Sequence, residues 1–426
     1  MRSRRATRRV PNSRPIANTT PLKHAHPMNQ RADLQRFPAT HGEAMARIAA
    51  VDVERYGATR NSLGGAVSGL SPYITHGIVT PAEVFDAIAA RQAIGVQHKF
   101  VAELGWRCFY RHVWQHQGDA IFKSIQPGPL AGSDYDTAFP EDVRHARGGV
   151  PVIDQAVRQL YATGYLHNHA RLWLASYLVH VRKLHWRIGA DWLYGHLLDG
   201  DLASNYLSWQ WVAGTGSSKP YLFNAENVER FASRAWHSRG SAIDISYEAL
   251  DLLARNTSRR CGEPGEHGEG LAEPAVSSIP PQALLNIPEP SDVAGKDVWL
   301  VHPWALRQSA EQVAPDCVRL GVIVSDFHAR WPWSERRWNF VAEAMLAVTD
   351  QCWHGDARNL VVALSGAHSV RSVAEPHLQE WLPQMANTEA VENLFPNVDK
   401  PCASFSKWWT RVAKSEDLFA SRGKLG

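Results

Sequence analysis

Between residues 41 and 250 apolar side chains return at intervals of three and four, and that period decides what this chain can fold into. "KFVAELGWRCFYRHVW" and "VIDQAVRQLYATGYLHNHARLWLASYLVHVRKL" both carry it. Such spacing gathers the apolar residues onto one face of a helix and leaves a strand with none. Start signals agree. In "TPAEV", Thr80 suits a cap, Pro81 the first helical position and Glu83 the reciprocal arm of a capping box. "LSPY" repeats the pattern with Ser71 as cap before Pro72.

The texture then changes. Residues 251–292 are rich in Gly, Pro and Glu without periodicity, which predicts a linker or a long irregular excursion. Beyond it, "DVWLV", "RLGVIVS" and "NLVVALS" read as short strands separated by helical segments such as "SERRWNFVAEAMLAV". Strand alternating with helix predicts a small parallel α/β unit at 293–426. It carries no G-x-G-x-x-G and no phosphate-binding lysine loop, so nothing marks it as a nucleotide site. Residues 1–40, opening on "MRSRRATRRVPNSR" with six arginines and no acid, read as a disordered basic tail; a transit peptide or a phosphate-touching arm has the same letters. The expected architecture is mainly α: a helical domain at 41–250, followed by the small α/β unit.

The formal net charge is only +3, so any contact with nucleic acid must come from a local patch. Seventeen tryptophans against thirteen phenylalanines favour flat surfaces for stacking or electron transfer, although a large core also absorbs indoles. The five cysteines are scattered, with no C-x-x-C, which argues against a zinc or iron–sulfur site and against a disulfide framework. No metal is expected. No apolar run reaches membrane-spanning length, and a reducing cytoplasm is the expected location.

Three segments could carry chemistry. In "LLDGDLASNYLSWQW" a helix starting near Asp201 sets Asp201, Asn205 and Trp209 along one side. In "GYLHNHARLWL", His167, Asn168 and Arg171 share a face, and Arg171 could pair with Asp199 or Asp201. A structural ion pair with an acid capping the next helix fits those letters equally. "AELGWRCFYR" puts Glu103, Trp106, Arg107 and Tyr110 around one face, suited to a flat hydrogen-bonding ligand or simply to an amphipathic helix. Ser68 and Ser71 in "AVSGLSPY" precede a helix, where free N–H groups welcome a phosphate, though ordinary capping uses the same residues.

Taken together, "YGATRNSLGGAVSGLSPYITHGIVTP", "AELGWRCFYR", "PVIDQAVRQLYATGYLHNHARLWLASYL" and "LLDGDLASNYLSWQWVAGTG" give roughly Tyr56 to Asn224 a specific pattern. That stretch resembles the helical flavin-binding domain of the cryptochrome/photolyase family. The resemblance implies a bent FAD, with Tyr56, Ser68, Leu70 and Ser71 at its phosphates and ribityl chain. It places Asn168, Arg171, Asp199, Asp201 and Asn205 as cofactor contacts, Asn205 facing the flavin N5. Val67 replaces a usual Thr and removes one hydroxyl. Glu103, Trp106, Asn168 and Trp211 would line a cavity for a flipped-out pyrimidine dimer. Leu172 stands where a Met is common, and His167-Asn168 where a second lesion class meets two histidines, so the cyclobutane dimer is favoured. Trp209 and Trp186 match the first two members of an electron-feeding chain. A third has no Trp in its expected region, where Tyr135 is the nearby substitute.

The resemblance therefore implies a light-dependent carbon–carbon lyase repairing damaged DNA as a monomer, with Glu103, Asn205, Trp186 and Trp209 as its working residues. A blue-light sensor signalling through the C-terminal unit is the alternative, and a nucleic-acid-binding module keeping FAD as a relic is a third. Typical members begin with an α/β antenna domain; here a basic tail precedes the helical part and an α/β unit follows. FAD without a second chromophore is expected.

Overall fold

Short polar residues write most of the helix starts. The computed structural model describes residues 37–262, 270–307, 316–391 and 393–413; of the tail expected at 1–40, residues 1–36 lie outside the described residues. The helical part runs α1 (His41–Ala50), α2 (Val53–Thr59), α3 (Ser71–Thr75), α4 (Pro81–Ala89), α5 (Lys99–Gln117) and α6 (Glu141–Arg144). It continues through α7 (Pro151–Thr163), α8 (Asn168–Ser176), α9 (Trp186–His196), α10 (Leu202–Ala213), α11 (Ala225–Phe231) and α12 (Tyr247–Ala254). Thr80 and Glu83 form the expected capping box on α4, and Asp201 caps α10 by accepting from Ser204 N. Ser71 is a correction. It is the first residue of α3, whose cap position is Leu70; the backbone there is already near-helical, and no side chain caps it.

Helix α10 is the axis of this part, packed on α5, α8 and α9. Nine of its twelve residues are buried, so it shows almost no polar stripe. Close approach of α9 depends on Gly189, where a Cβ would stand 2.3 Å from the Trp209 ring.

The second part contains β1 (Val276–Ser277), β2 (Asp297–Val301), β3 (Val318–Val324), α13 (Ser325–Arg330), β4 (Trp333–Ser334) and α14 (Glu335–Val348). It ends with β5 (Gln351–Gly355), α15 (Ala357–Leu364), β6 (Ser369–Val373), α16 (Leu382–Met385), β7 (Asn387–Glu389) and α17 (Phe405–Val412). Five parallel strands take the order β5-β3-β2-β6-β7. Counted along the chain this is 3-2-1-4-5, the doubly wound order whose direction reverses between β2 and β6. "NLVVALS" is not a strand but α15. Asp356 caps it and accepts from Asn359 N, and its β-branched Val362 points to solvent while Leu360, Ala363 and Leu364 pack inward. The actual neighbours, β5 and β6, lie on either side of it.

The described residues from Phe37 onward form one compact unit. His76 lies 2.6 Å from Pro303 O and 2.8 Å from Leu198 O, joining the two parts. Gly77 has φ +63°, and a Cβ there would meet Trp304 O at 2.3 Å. The irregular segment after α12 also reaches back, since Glu273 accepts from Trp192 Nε1 and lies 2.8 Å from His196 Nε2. Among the described residues no helix is long and apolar enough to cross a membrane.

Candidate functional site

The helices enclose a cavity of about 490 Å³, within the range of small-molecule sites. Tyr56 from α2, the loop Ser68–Leu70 and Ser71 line one part. Glu103 and Trp106 from α5, and Asn168 and Arg171 from α8, line another. Asp199, Asp201, Asn205, Trp209 and Trp211 complete it along α10 and the turn before it. Of the residues singled out for the site, Trp186 and Tyr135 do not line the cavity.

The choice left open for Arg171 resolves to Asp199. One terminal nitrogen donates to both carboxylate oxygens, at 3.0 and 2.8 Å, while Nε donates to Leu166 O. Asp201 meets a different pair, accepting from Arg111 at 3.1 Å and lying 3.3 Å from Arg107. Its other oxygen accepts from Ser204 N and Oγ. Burial alone would raise this carboxyl; Arg107 and then Arg111 override it and hold Asp201 well below the usual carboxylate range. Arg111 continues to Glu375, 3.3 Å away, at the carboxyl end of β6. A doubly wound sheet ordinarily takes its ligand in the crevice at the strand-order reversal. Here Glu375 accepts from Arg111 beside that reversal, His377 Nδ1 lies 2.5 Å from Glu375 Oε1, and His377 Nε2 accepts from Leu202 N.

Asn205 donates one amide hydrogen to Ala190 O at 2.9 Å, which fixes the plane of its amide. A carboxamide has a second N–H and a carbonyl oxygen remaining. At the rim, Glu103 pairs with Arg60 at 3.4 Å with its side chain two-fifths exposed, an exchangeable contact. His167 accepts from His169 N and donates to Arg60 O. Burial, and then His169, lowers its pKa to about 4, so this ring is neutral at pH 7. Trp106 stacks on Phe405 of α17, centroids 4.0 Å apart and planes within 9°. Trp211 is 39 % exposed and tilted against Tyr221.

Trp209 packs over Gly189, and Trp186 lies one turn earlier on the same helix. Trp186 donates to Ser124 Oγ and stacks on His185 at 5.9 Å, and Tyr135 meets His185 edge-on at 6.3 Å.

Residues 100–241 match the family model described as the FAD binding domain of DNA photolyase. This region belongs to the photolyase/cryptochrome family. The chain is 37 % identical over 187 residues to a deoxyribodipyrimidine photo-lyase of Streptomyces griseus, covering 43 % of this chain and 40 % of that protein. It is 32 % identical over 195 residues to a cryptochrome DASH of Natronomonas pharaonis, covering 43 % and 40 %. Among solved structures, the Synechocystis cryptochrome is 26 % identical with a TM-score of 0.42, over 46 % of this chain and 44 % of that one. The matches thus span less than half the length of these relatives.

FAD is the cofactor of this photolyase-type domain. The donor set fits it: a polar loop at Ser68–Ser71, a guanidinium locked to an acid, and an oriented amide all face one cavity. His169 lines the same cavity with Nδ1 buried and unpartnered among the described residues. Sequence reasoning missed Arg60, Arg111, Glu375 and Phe405. Arg111 follows Arg107 by one turn of α5, a visible signal; Glu375 and Phe405 join the site only through tertiary packing.

Proposed function

We propose that this protein is a light-dependent DNA repair enzyme that splits cyclobutane pyrimidine dimers with reduced FAD. Bound FAD supplies an electron to the lesion when excited by light. The chain's own residues do the rest. Arg171, held by Asp199, presents a fixed positive charge to the ring, and Asp201 keeps the turn before α10 in place. Asn205 offers the ring's central nitrogen a hydrogen bond with no titratable proton. Tyr56, Ser68, Leu70 and Ser71 hold the phosphate and ribityl end.

One observation carries this proposal: Glu103, Trp106, Asn168 and Trp211 open onto the same cavity as the Arg171–Asp199 pair. An extruded base costs a few kcal/mol to unstack, and each aromatic contact returns about 1–3 kcal/mol. Phe405 stacks on one face of Trp106, which also lines the cavity where such a base would sit. Glu103 can exchange Arg60 for a base edge.

The test is repair of a dimer-containing oligonucleotide under blue light by the FAD-loaded, chemically reduced protein. Repair that drops sharply in Glu103→Ala supports the proposal; a reduced, flavin-bound protein that restores no thymines sinks it. The sensor reading has one observation of its own, the seat of α17 on Trp106 at the cavity wall. Light-dependent cleavage near α17 by added protease, without repair, would favour it.

A further inference from the structure

Arg337 reaches the site from behind: it comes from the α/β unit and bonds Gly200 of the cavity lining without itself lining the cavity. It lies in the first turn of α14 and is fully buried, yet no carboxylate bonds it directly among the hydrogen bonds of the described residues. Its terminal nitrogens donate to Gly200 O at 2.6 Å and Tyr194 O at 3.2 Å, and its guanidinium lies 3.9 Å over the Trp333 ring. Gly200 sits between Asp199 and Asp201 and lines the cavity. A Cβ on Gly200 would come within 2.5 Å of Arg337 Nη1, so glycine here is what lets the guanidinium reach the turn.

The surrounding charges do not cancel. Arg171 is matched by Asp199, while Arg107 and Arg111 share Asp201 and Glu375. Arg337 is the fourth guanidinium facing three carboxylates. Tyr194 acts on it most strongly, and then the carboxylates of Asp199 and Asp201 through space. An uncompensated buried cation is costly to an empty protein and is retained where an anion arrives to meet it. Burial lowers the pKa values of the histidines of this interior, His76, His302, His328 and His377, which disfavours further positive charge there.

We propose that Arg337 is a positioning residue of the flavin site, clamping the Asp199–Asp201 turn through Gly200 and supplying the surplus positive charge that favours the anionic, reduced ring. This rests on the FAD assignment of the cavity and gives the C-terminal unit a part in tuning the cofactor. The full chain, as parent, Arg337→Gln and Arg337→Lys, is loaded with FAD. Its dissociation constants for oxidised and reduced FAD and the midpoint potential of the bound flavin are then measured. Gln retains an N–H donor for the carbonyl without charge: oxidised affinity stays near that of the parent, while reduced affinity falls on the order of tenfold, the scale of one charge at ~10 Å in an effective dielectric of ~20. The potential drops accordingly, and Lys restores it. An unchanged ratio of the two affinities in Gln overturns the proposal, as does a Lys variant whose potential falls away from the parent's, which also decides the case if Gln does not fold. A folded parent that takes up no FAD overturns this proposal together with the flavin assignment, and is told apart by its missing visible absorption.

Discussion

Arg111→Met tests how the two parts of the molecule are held together. In the parent, Arg111 bonds Asp201 of the helical part and Glu375 of the α/β unit at once. Burial pushes Glu375 up, but Arg111 first and His377 second more than offset it, lowering its pKa from 4.5 to about 2. That difference corresponds to about 3 kcal/mol of stability at neutral pH, in line with the 3–5 kcal/mol typical of breaking a buried pair. A carboxyl depressed by folding stabilises fully above its unfolded pKa and loses that contribution as pH falls through its folded one. The contribution is therefore complete above pH ~4.5 and is lost toward pH ~2. Urea unfolding of parent and variant at pH 7.5, 5.5, 4 and 3 should give a gap of about 3 kcal/mol at the first two that narrows at the last two. A gap of constant size down to pH 3 would refute the reasoning and assign Arg111 a packing role instead.

Three further outcomes are expected. Gly189→Ala drives a Cβ into the Trp209 ring and should cost about 1–3 kcal/mol by calorimetry; an unchanged melting temperature would deny the tight α9–α10 approach. Asn205→Asp should move the stable flavin radical toward its neutral, N5-protonated spectrum, and an identical spectrum removes that residue from N5. Trp209→Phe should lose most photoreduction yet repair normally once flavin is reduced chemically, whereas equal photoreduction rates would take the indole out of the electron path.

What was legible in the sequence was what neighbours in sequence decide. Thr80 and Glu83, three positions apart, wrote their own capping box, and Asp201 wrote the start of α10. The candidate site residues came from motif order, and all but Trp186 and Tyr135 line one space. Two kinds of feature stayed hidden. Where tertiary packing outweighs β propensity, as in α15, a run of Leu and Val gave the wrong element, because the Asp356 cap and one-sided burial prevail. And where a partner is distant in sequence, spacing is silent: Arg111 finds Glu375 264 positions away, and Arg337 finds Gly200 137 positions away. Ser71 failed for a smaller reason, since the preceding Leu70 already has near-helical backbone angles.

The stack of Phe405 on Trp106, with Trp409 pressed over Gly105, has a bearing on how the protein is made. The indole emerges from the ribosome early and its covering ring among the last of the described residues. A nascent chain therefore holds an open-backed bowl until Phe405 has been made, and cofactor loading should follow that point rather than precede it. Trimming the gene to its helical half would freeze that unfinished stage, with a bare aromatic face exposed to whatever else the cell presents.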